Sequence, residues 1–427
     1  MTHQIINSDA LTHLMMMEDE SVHMAVTSPP YYSPGKGLRT YDTTTNWEDG
    51  WKGELGKEPT PQLYVSHLVS ICSELKRVLR SDGTFWLNIG DSHAGSGCGP
   101  SGKNAAIQNQ TERQGHEGTM QPIPSGFKRT DIFGIPFRLG IALQEAGWYW
   151  KDCIPWVKHN GMPGSYKSRP IGNLEWILIL TKTPTPYYDY VAVMQRSSES
   201  YNKDKRQRGV LRQRVNPETK YDRDETQFKK QDNTGNSTYT GFNARYAENG
   251  GGDKRLLRSS DFFFQSFQGL WLDEVNEPMA LIANTTGYAG HHFASFPVKL
   301  PEMCILASTS EKGVCGKCGA PWKRVVQKES FITRPTFGTD DQKQKLEPGN
   351  AQGLERTGGH VACNVETVDW QPTCACNASA IPALVLDPFS GSSATGVACK
   401  WHNRNYIGIE LNPEYCKLAE QRIKDGK

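Results

Sequence analysis

The sequence predicts an α/β fold built on a mostly parallel, doubly wound sheet, and three observations carry that prediction. Short apolar runs alternate with stretches of helical spacing through the first 184 residues. Glu175-Trp176-Ile177-Leu178-Ile179-Leu180-Thr181 is a near-continuous apolar strand of the kind covered on both faces. The last 47 residues read as strand, small-residue turn, helix and strand. A chain of 427 residues has room for two or three domains, which excludes a small disulfide-stapled scaffold. No window approaches the ~18 consecutive apolar residues of a membrane span. Met1-Thr2-His3-Gln4 also lacks the basic-then-apolar layout of a signal peptide, so the expectation is a soluble, cytoplasmic protein with no membrane partner.

The elements follow in order. Ile5-Ile6-Asn7 is a short apolar strand, Asp9 to Met17 has helical spacing, and His23 to Thr27 is a strand that two prolines end at Ser28-Pro29-Pro30-Tyr31. Pro61 to Arg80 carries a helical stripe of Leu63, Leu68, Ile71, Leu75 and Leu79. Ser81-Asp82-Gly83 is then read as a turn into the strand Thr84 to Ile89. Gly134 to Gly147 is a further amphipathic helix, and His291 to Ser308 another amphipathic stretch. Ala383 to Asp387 and Asn405 to Ile409 are strands flanking a helix from Ala394 to Trp401.

Three stretches break the pattern. Ala94 to Lys128 is glycine-rich, without aliphatic periodicity, and reads as a mobile loop that is either disordered or functional, as a lid would be. From about 185 to 290 the chain turns polar. The net charge of the whole is only +2, with 48 Lys+Arg against 46 Asp+Glu, yet Arg196 to Arg258 holds fifteen Lys+Arg against nine Asp+Glu. Tyr201, Tyr221, Tyr239 and Tyr246 are interleaved there, the combination that phosphate contacts and base stacking require; a solvated insertion is the plainer alternative. The third stretch, about 313–380, holds five of the eleven cysteines. An odd count in a chain without a signal peptide argues against a disulfide framework. Cys315-Gly316-Lys317-Cys318 and Cys374-Ala375-Cys376 are two close pairs that suit a structural Zn2+, with Cys363 or His360 as substitutes for one ligand and free thiols as the alternative. Cys72, Cys153, Cys304, Cys399 and Cys416 sit singly in apolar or amphipathic stretches, as buried cysteines do.

The C-terminal unit carries the clearest chemistry. An acid, Asp387, ends the first strand, Pro388 to Ser393 is a tight small-residue loop, and a second acid, Glu410, ends the next strand 23 residues later. In nucleotide-binding βαβ units that second acid bonds ribose hydroxyls while the loop brings backbone N–H groups to the ligand. The loop is not G-x-G-x-x-G, so a smaller adenosine-containing ligand fits better than a dinucleotide.

Asp387-Pro388-Phe389-Ser390-Gly391-Ser392-Ser393 resembles the S-adenosylmethionine-binding motif of amino-group DNA methyltransferases, and Thr27-Ser28-Pro29-Pro30-Tyr31 resembles their catalytic motif. With the catalytic motif first and the cofactor motif last, the order is similar to the circularly permuted β group. Lys151 to Lys158, on through Glu175, resembles the segment lining the target-base pocket, and His292-Phe293-Ala294-Ser295-Phe296-Pro297 the segment closing over the methionine end of the cofactor. The resemblance implies a Rossmann-like S-adenosylmethionine-dependent methyltransferase fold. It also implies catalysis by Ser28, Pro29, Pro30 and Tyr31, and cofactor binding by Asp9, Phe296, Asp387, Phe389, Gly391, Ser392 and Glu410.

The catalytic motif also makes physical sense by itself. An exocyclic amine is a poor nucleophile because its lone pair is delocalised into the ring, so a catalyst must accept its hydrogens and hold nitrogen in line with the methyl group. Two prolines fix the backbone so that the Pro29 carbonyl and Ser28 can accept them, while Tyr31 offers a face for the extruded base. Within the family Ser at the first motif position is typical of cytosine N4 enzymes and Asp of adenine N6 enzymes, so Ser28 predicts cytosine N4. Alternatives are adenine N6, methylation of a protein amide, and a zinc-containing DNA-binding protein on a vestigial fold. The expected layout is 1–184 as catalytic half with a mobile loop at 94–128, 185–290 as target-recognition insertion, and 291–312 as return to the core. A zinc knuckle at 313–380 and a cofactor-binding half at 381–427 complete it. Zinc ligands are Cys315, Cys318, Cys374 and Cys376, and the expected partners are double-stranded DNA and a cognate restriction enzyme.

Overall fold

The computed structural model describes residues 1–34, 45–95, 123–158, 174–193, 195–196, 254–255, 281–283, 297–333, 344–345 and 360–426. Most of the expected loop 94–128 and insertion 185–290 lie outside these residues, as do Cys98, the four interleaved tyrosines, His291, His292 and Phe296.

Strand β1 (His3–Asn7) leads to helix α1 (Ala10–Met16), whose N-cap Asp9 accepts from Thr12 N at 3.0 Å. Strand β2 (Val22–Thr27) precedes α2 (Pro61–Val78), which is opened by the Thr60 cap and by Pro61 in its first turn. Strand β3 (Leu79–Ile89) begins directly at the end of α2, which corrects the expected turn at Ser81-Asp82-Gly83. Val22 pairs with Leu79 and Met24 with Thr84, so the extra residues form a bulge inside the strand. Gly83 passes so close to β2 that a Cβ there would lie 2.8 Å from the His23 carbonyl oxygen.

Helix α3 (Ile135–Glu145), β4 (Tyr149–Lys158), β5 (Leu174–Thr181), β6 (Leu281–Ala283) and α4 (Lys299–Ser308) follow. The Cys-rich segment supplies β7 (Val314–Cys315), β8 (Trp322–Thr333), β9 (His360–Pro372) and β10 (Ala380–Ile381). The chain ends with β11 (Leu384–Asp387), α5 (Ala394–Trp401), β12 (Asn405–Glu410) and α6 (Pro413–Asp425), a final helix the sequence reading did not single out.

Eight strands form one sheet in the order β1-β12-β11-β2-β3-β5-β4-β6. All neighbours run parallel except at β5, which is antiparallel to β3 and β4. Strand β6 belongs to this sheet, although the sequence reading placed 281–283 in the insertion. Side chains alternate between two cores. Ala25, Phe85, Leu87, Leu178 and Leu386 pack with α1, α2 and α3, while Met24, Val26, Trp86, Ile177 and Val385 pack with α4, α5 and α6. Each fully buried aliphatic side chain contributes about 1.5–3 kcal/mol, which explains why these strands read as continuous apolar runs.

Sequence halves interleave in this sheet. Strand β1 pairs with β12, and Asn7 Nδ2 donates to the Glu410 carbonyl at 3.0 Å across 403 positions. Between β11 and β2 the strand order reverses, because the helix after β11 covers one face and the helix after β2 the other. Ligands of open α/β sheets bind outside the carboxyl ends of strands at such a point.

The Cys-rich segment builds a separate β unit. Strands β8 and β9 pair from Trp322↔Pro372 to Thr333↔His360. Arg324 anchors the hairpin: its Nε reaches both Asp189 oxygens, at 2.8 and 3.0 Å, and its guanidinium lies 4.5 Å from the Trp370 ring centroid.

Candidate active site

The crevice between β11 and β2 begins with a direct bond. Thr27 Oγ1 donates to Asp387 Oδ1 at 2.5 Å, and Thr395 Oγ1 from α5 donates to Oδ2 at 2.7 Å. Phe389 N adds a third donor at 3.1 Å. Asp387 is 1% exposed, and burial pushes its carboxyl up to about 6 against these three hydrogen bonds. The acid that ends β11 therefore locks Thr27, the first residue of the catalytic motif, to the cofactor loop.

That loop is held from below by one phenol. Tyr406 Oη on β12 bonds Ser390 Oγ at 2.9 Å and Ser393 Oγ at 3.1 Å. A Cβ at Gly408 would lie 2.5 Å from the same hydroxyl. Gly391 takes φ +51° and turns its N–H onto Glu410 Oε2 at 2.8 Å, while Asn412 N donates to Oε1 at 2.8 Å. Burial raises the Glu410 carboxyl as well. Each Glu410 oxygen keeps lone-pair capacity beyond these backbone donors, as bonding a ribose diol requires. Two acids at neighbouring strand ends, backbone N–H groups and a helix start suit the adenosine and amino-acid ends of S-adenosylmethionine. The Ser392 hydroxyl, expected at the cofactor, is instead buried against Arg422 Nη1 at 2.7 Å, where it anchors the loop to α6. Asp9 lies at the end of β1, one strand beyond Glu410, and its second oxygen accepts from Thr45 Oγ1 at 3.2 Å.

The catalytic motif leaves β2 on the other side. Tyr64 Oη donates to the Pro30 carbonyl at 2.7 Å, and among the described residues the Pro29 carbonyl carries no hydrogen bond. The Tyr31 ring rests on Gly90, where a Cβ would come within 2.6 Å of it. Its hydroxyl donates to Glu175 Oε2 at 2.7 Å and accepts from Asn88 Nδ2 at 2.8 Å and Ser28 Oγ at 3.2 Å. Asn88 Nδ2 also donates to Glu175 Oε2 at 2.9 Å, and Lys158 pairs with the other carboxylate oxygen. Burial and then the Glu175 charge hold the Tyr31 phenol well above its ordinary value, so it stays neutral.

At the far end of the sheet the four sulfurs of Cys315, Cys318, Cys374 and Cys376 lie within 4.8 Å of one another. Zn–S bonds of about 2.3 Å place tetrahedral sulfurs about 3.8 Å apart, so the set fits one ion. Backbone N–H groups of Cys318 and Lys317 aimed at its sulfur draw the Cys315 thiol down to about 6, and Gly319 takes φ +71° at the knuckle. Pairing of Cys363 with Ser330 puts it nine residues up the hairpin, about 30 Å from the cluster, and His360 is farther still.

Sequence reasoning found the two motifs and the cysteines. It missed Thr27, Thr395, Tyr406 and Arg422 as partners of the cofactor loop, and Asn88, Lys158 and Tyr64 as partners of the catalytic motif. Thr27 and Lys158 stand within the quoted stretches but nothing there points to these bonds, and no motif or periodicity marks the other five. Asp91 accepts from Ser92 N at 2.9 Å, and His93 forms a backbone bridge to Ile132.

A family model described as DNA methylase matches residues 22–316 and 378–421. The chain is 29% identical over 424 residues to the Type II methyltransferase M.Cfr9I of Citrobacter freundii, covering 98% of this chain and 87% of that protein. It is 26% identical over 421 residues to the Type II methyltransferase M.SmaI of Serratia marcescens, covering 98% and 90%. Among solved structures, the PvuII DNA methyltransferase (cytosine-N4-specific) superposes with a TM-score of 0.46 at 14% identity, over 100% of this chain and 91% of that one.

Proposed function

Because the chain belongs to the DNA methylase family of S-adenosylmethionine-dependent amino-group methyltransferases, we propose that it methylates the exocyclic N4 amine of cytosine at a specific site in double-stranded DNA. The observation that carries this reading is the Thr27–Asp387 bond, which sets Ser28-Pro29-Pro30-Tyr31 beside Pro388 to Ser393. S-adenosylmethionine, when bound, supplies a methyl group on a sulfonium. Asp387 and Glu410 shape its site, with Phe389 and Gly391 in the loop and Asp9 toward the adenine. Ser28 and the Pro29 carbonyl accept the amine hydrogens and keep the nitrogen lone pair on the line of transfer. Ser28 at the first motif position favours cytosine over adenine.

The target base is flipped out of the duplex at a cost of a few kcal/mol. The basic insertion 185–290 supplies the phosphate contacts and the recognition of sequence. Cys315, Cys318, Cys374 and Cys376 hold a structural Zn2+, supported by their mutual spacing. A cognate restriction enzyme as partner and a location in the bacterial cytoplasm are parts of the same reading, supported by the Type II methyltransferase names of both relatives.

Transfer of tritiated methyl groups to DNA, followed by nucleoside analysis, tests the reading. N4-methylcytosine is the expected product. Finding N6-methyladenine alone overturns the base assignment, and no transfer at all favours a non-catalytic DNA-binding protein.

A further inference from the structure

Five side chains from four strand ends meet at the catalytic motif: Ser28 and Tyr31 after β2, Asn88 on β3, Lys158 on β4 and Glu175 on β5 make one hydrogen-bonded chain. Its polarity is set from one end. An ionised carboxylate only accepts, so the single Tyr31 hydroxyl hydrogen must go to Glu175 Oε2 at 2.7 Å. Tyr31 Oη can then only accept from Ser28 Oγ at 3.2 Å. That contact takes the one hydrogen Ser28 has and leaves its oxygen as an acceptor. Asn88 enforces the same sense by donating from Nδ2 to both Tyr31 Oη and Glu175 Oε2, the only amide orientation a facing carboxylate allows. Lys158 fixes the other carboxylate oxygen.

We propose that Glu175, acting through the Tyr31 hydroxyl, holds Ser28 as an acceptor for the target amine and takes up the proton the amine releases. The inference rests on the amino-methyl-transfer reading above. As the nitrogen lone pair forms the N–C bond, the C–S bond breaks with its electron pair going to sulfur, and nitrogen becomes cationic. One N–H proton passes to Ser28 Oγ, the Ser28 hydrogen to Tyr31 Oη, and the Tyr31 hydrogen to Glu175 Oε2. Serine and tyrosine end neutral, the nitrogen charge is removed, and the carboxyl returns its proton to solvent between turnovers. Burial keeps Tyr31 a neutral phenol, so the protons move together without a free tyrosinate. In this scheme Asn88 and Lys158 are positioning residues.

Single-turnover transfer measured against pH on Glu175→Gln, Glu175→Asp and Tyr31→Phe tests it. Glu175→Gln and Tyr31→Phe are expected to slow transfer by about 100-fold. Dissociation constants for S-adenosylmethionine and for DNA should stay within about threefold of the unsubstituted protein. The acid limb of the rate profile should vanish in Glu175→Gln and persist in Glu175→Asp. Should Glu175→Gln fail to bind cofactor, Tyr31→Phe, which keeps the ring on Gly90, decides by the same rate loss. Transfer within threefold of the unsubstituted rate in Tyr31→Phe, or an acid limb retained in a folded Glu175→Gln, overturns the relay and leaves the methyl-transfer reading standing. An unsubstituted protein that labels no DNA rejects that reading and the relay with it.

Discussion

At the scale of single residues, Asp387 concentrates the chemistry of the cofactor side. Its folded-state carboxyl sits at about 6 against an ordinary 3.8, with burial as the cause. A raised acid stabilises the fold fully below its unfolded value, and that contribution is lost as pH rises through about 6. Two units correspond to about 3 kcal/mol. Urea unfolding of the unsubstituted protein and of Asp387→Asn should therefore differ with pH. The unsubstituted protein gains on the variant as pH falls from 7 to 4, by up to about 3 kcal/mol, and a pH-independent difference refutes the assignment. Thr395→Val leaves Asp387 Oδ2 without its hydroxyl donor and is expected to cost about 1–3 kcal/mol at pH 7 in the same assay. Neither threonine's bond to Asp387 could be read in the sequence, since a hydroxyl that satisfies a buried acid has no signature until the chain brings the two together.

At the scale of elements, the loop Pro388 to Ser393 is kept in shape by Tyr406 from the strand beneath it. Tyr406→Phe should preserve the buried ring and lower stability by about 1 kcal/mol. It should weaken S-adenosylmethionine about tenfold, measured by calorimetry, because the loop loses its common anchor; unchanged affinity argues that the loop is rigid without it. The knuckle behaves differently. Arg80 Nη1 donates to the Cys318 carbonyl at 2.9 Å, and the His23 ring receives Leu384 N at 3.1 Å next to Gly319. These contacts put the cysteines at the opening ends of β2 and β3, about 16 Å of strand away from Ser28. Chelation is expected to release one zinc per chain and to lower the melting temperature while cofactor binding persists. A metal-free protein with unaltered melting would remove zinc from the account.

At the scale of the whole molecule, the basic insertion closes on itself: Gln195-Arg196 pairs antiparallel with Lys254-Arg255. A segment whose ends meet can be replaced by a short linker at little cost to the sheet. Replacing 197–253 should abolish DNA binding and spare cofactor binding. With an excess of six positive charges between Arg196 and Arg258, and eleven of the fifteen Lys+Arg there inside 197–253, log–log salt dependence of DNA affinity should have a slope of up to about −5 in the intact protein. A shallower slope unchanged by the replacement would move the DNA surface elsewhere. The sequence by itself determined the α/β class, both motifs, their permuted order and the cysteine set, because apolar periodicity and close spacing are local properties. It misread Ser81-Asp82-Gly83 as a turn and 281–283 as insertion, since a bulge and an edge strand exist only relative to a neighbouring strand. The pairing of β1 with β12 and β2 with β11, the Thr27–Asp387 lock and the Ser28–Tyr31–Glu175 chain were decided by tertiary structure alone. Each joins residues from 144 to more than 400 positions apart, and hydrogen-bond partners at such separations are chosen by how the sheet is threaded, which no local pattern encodes.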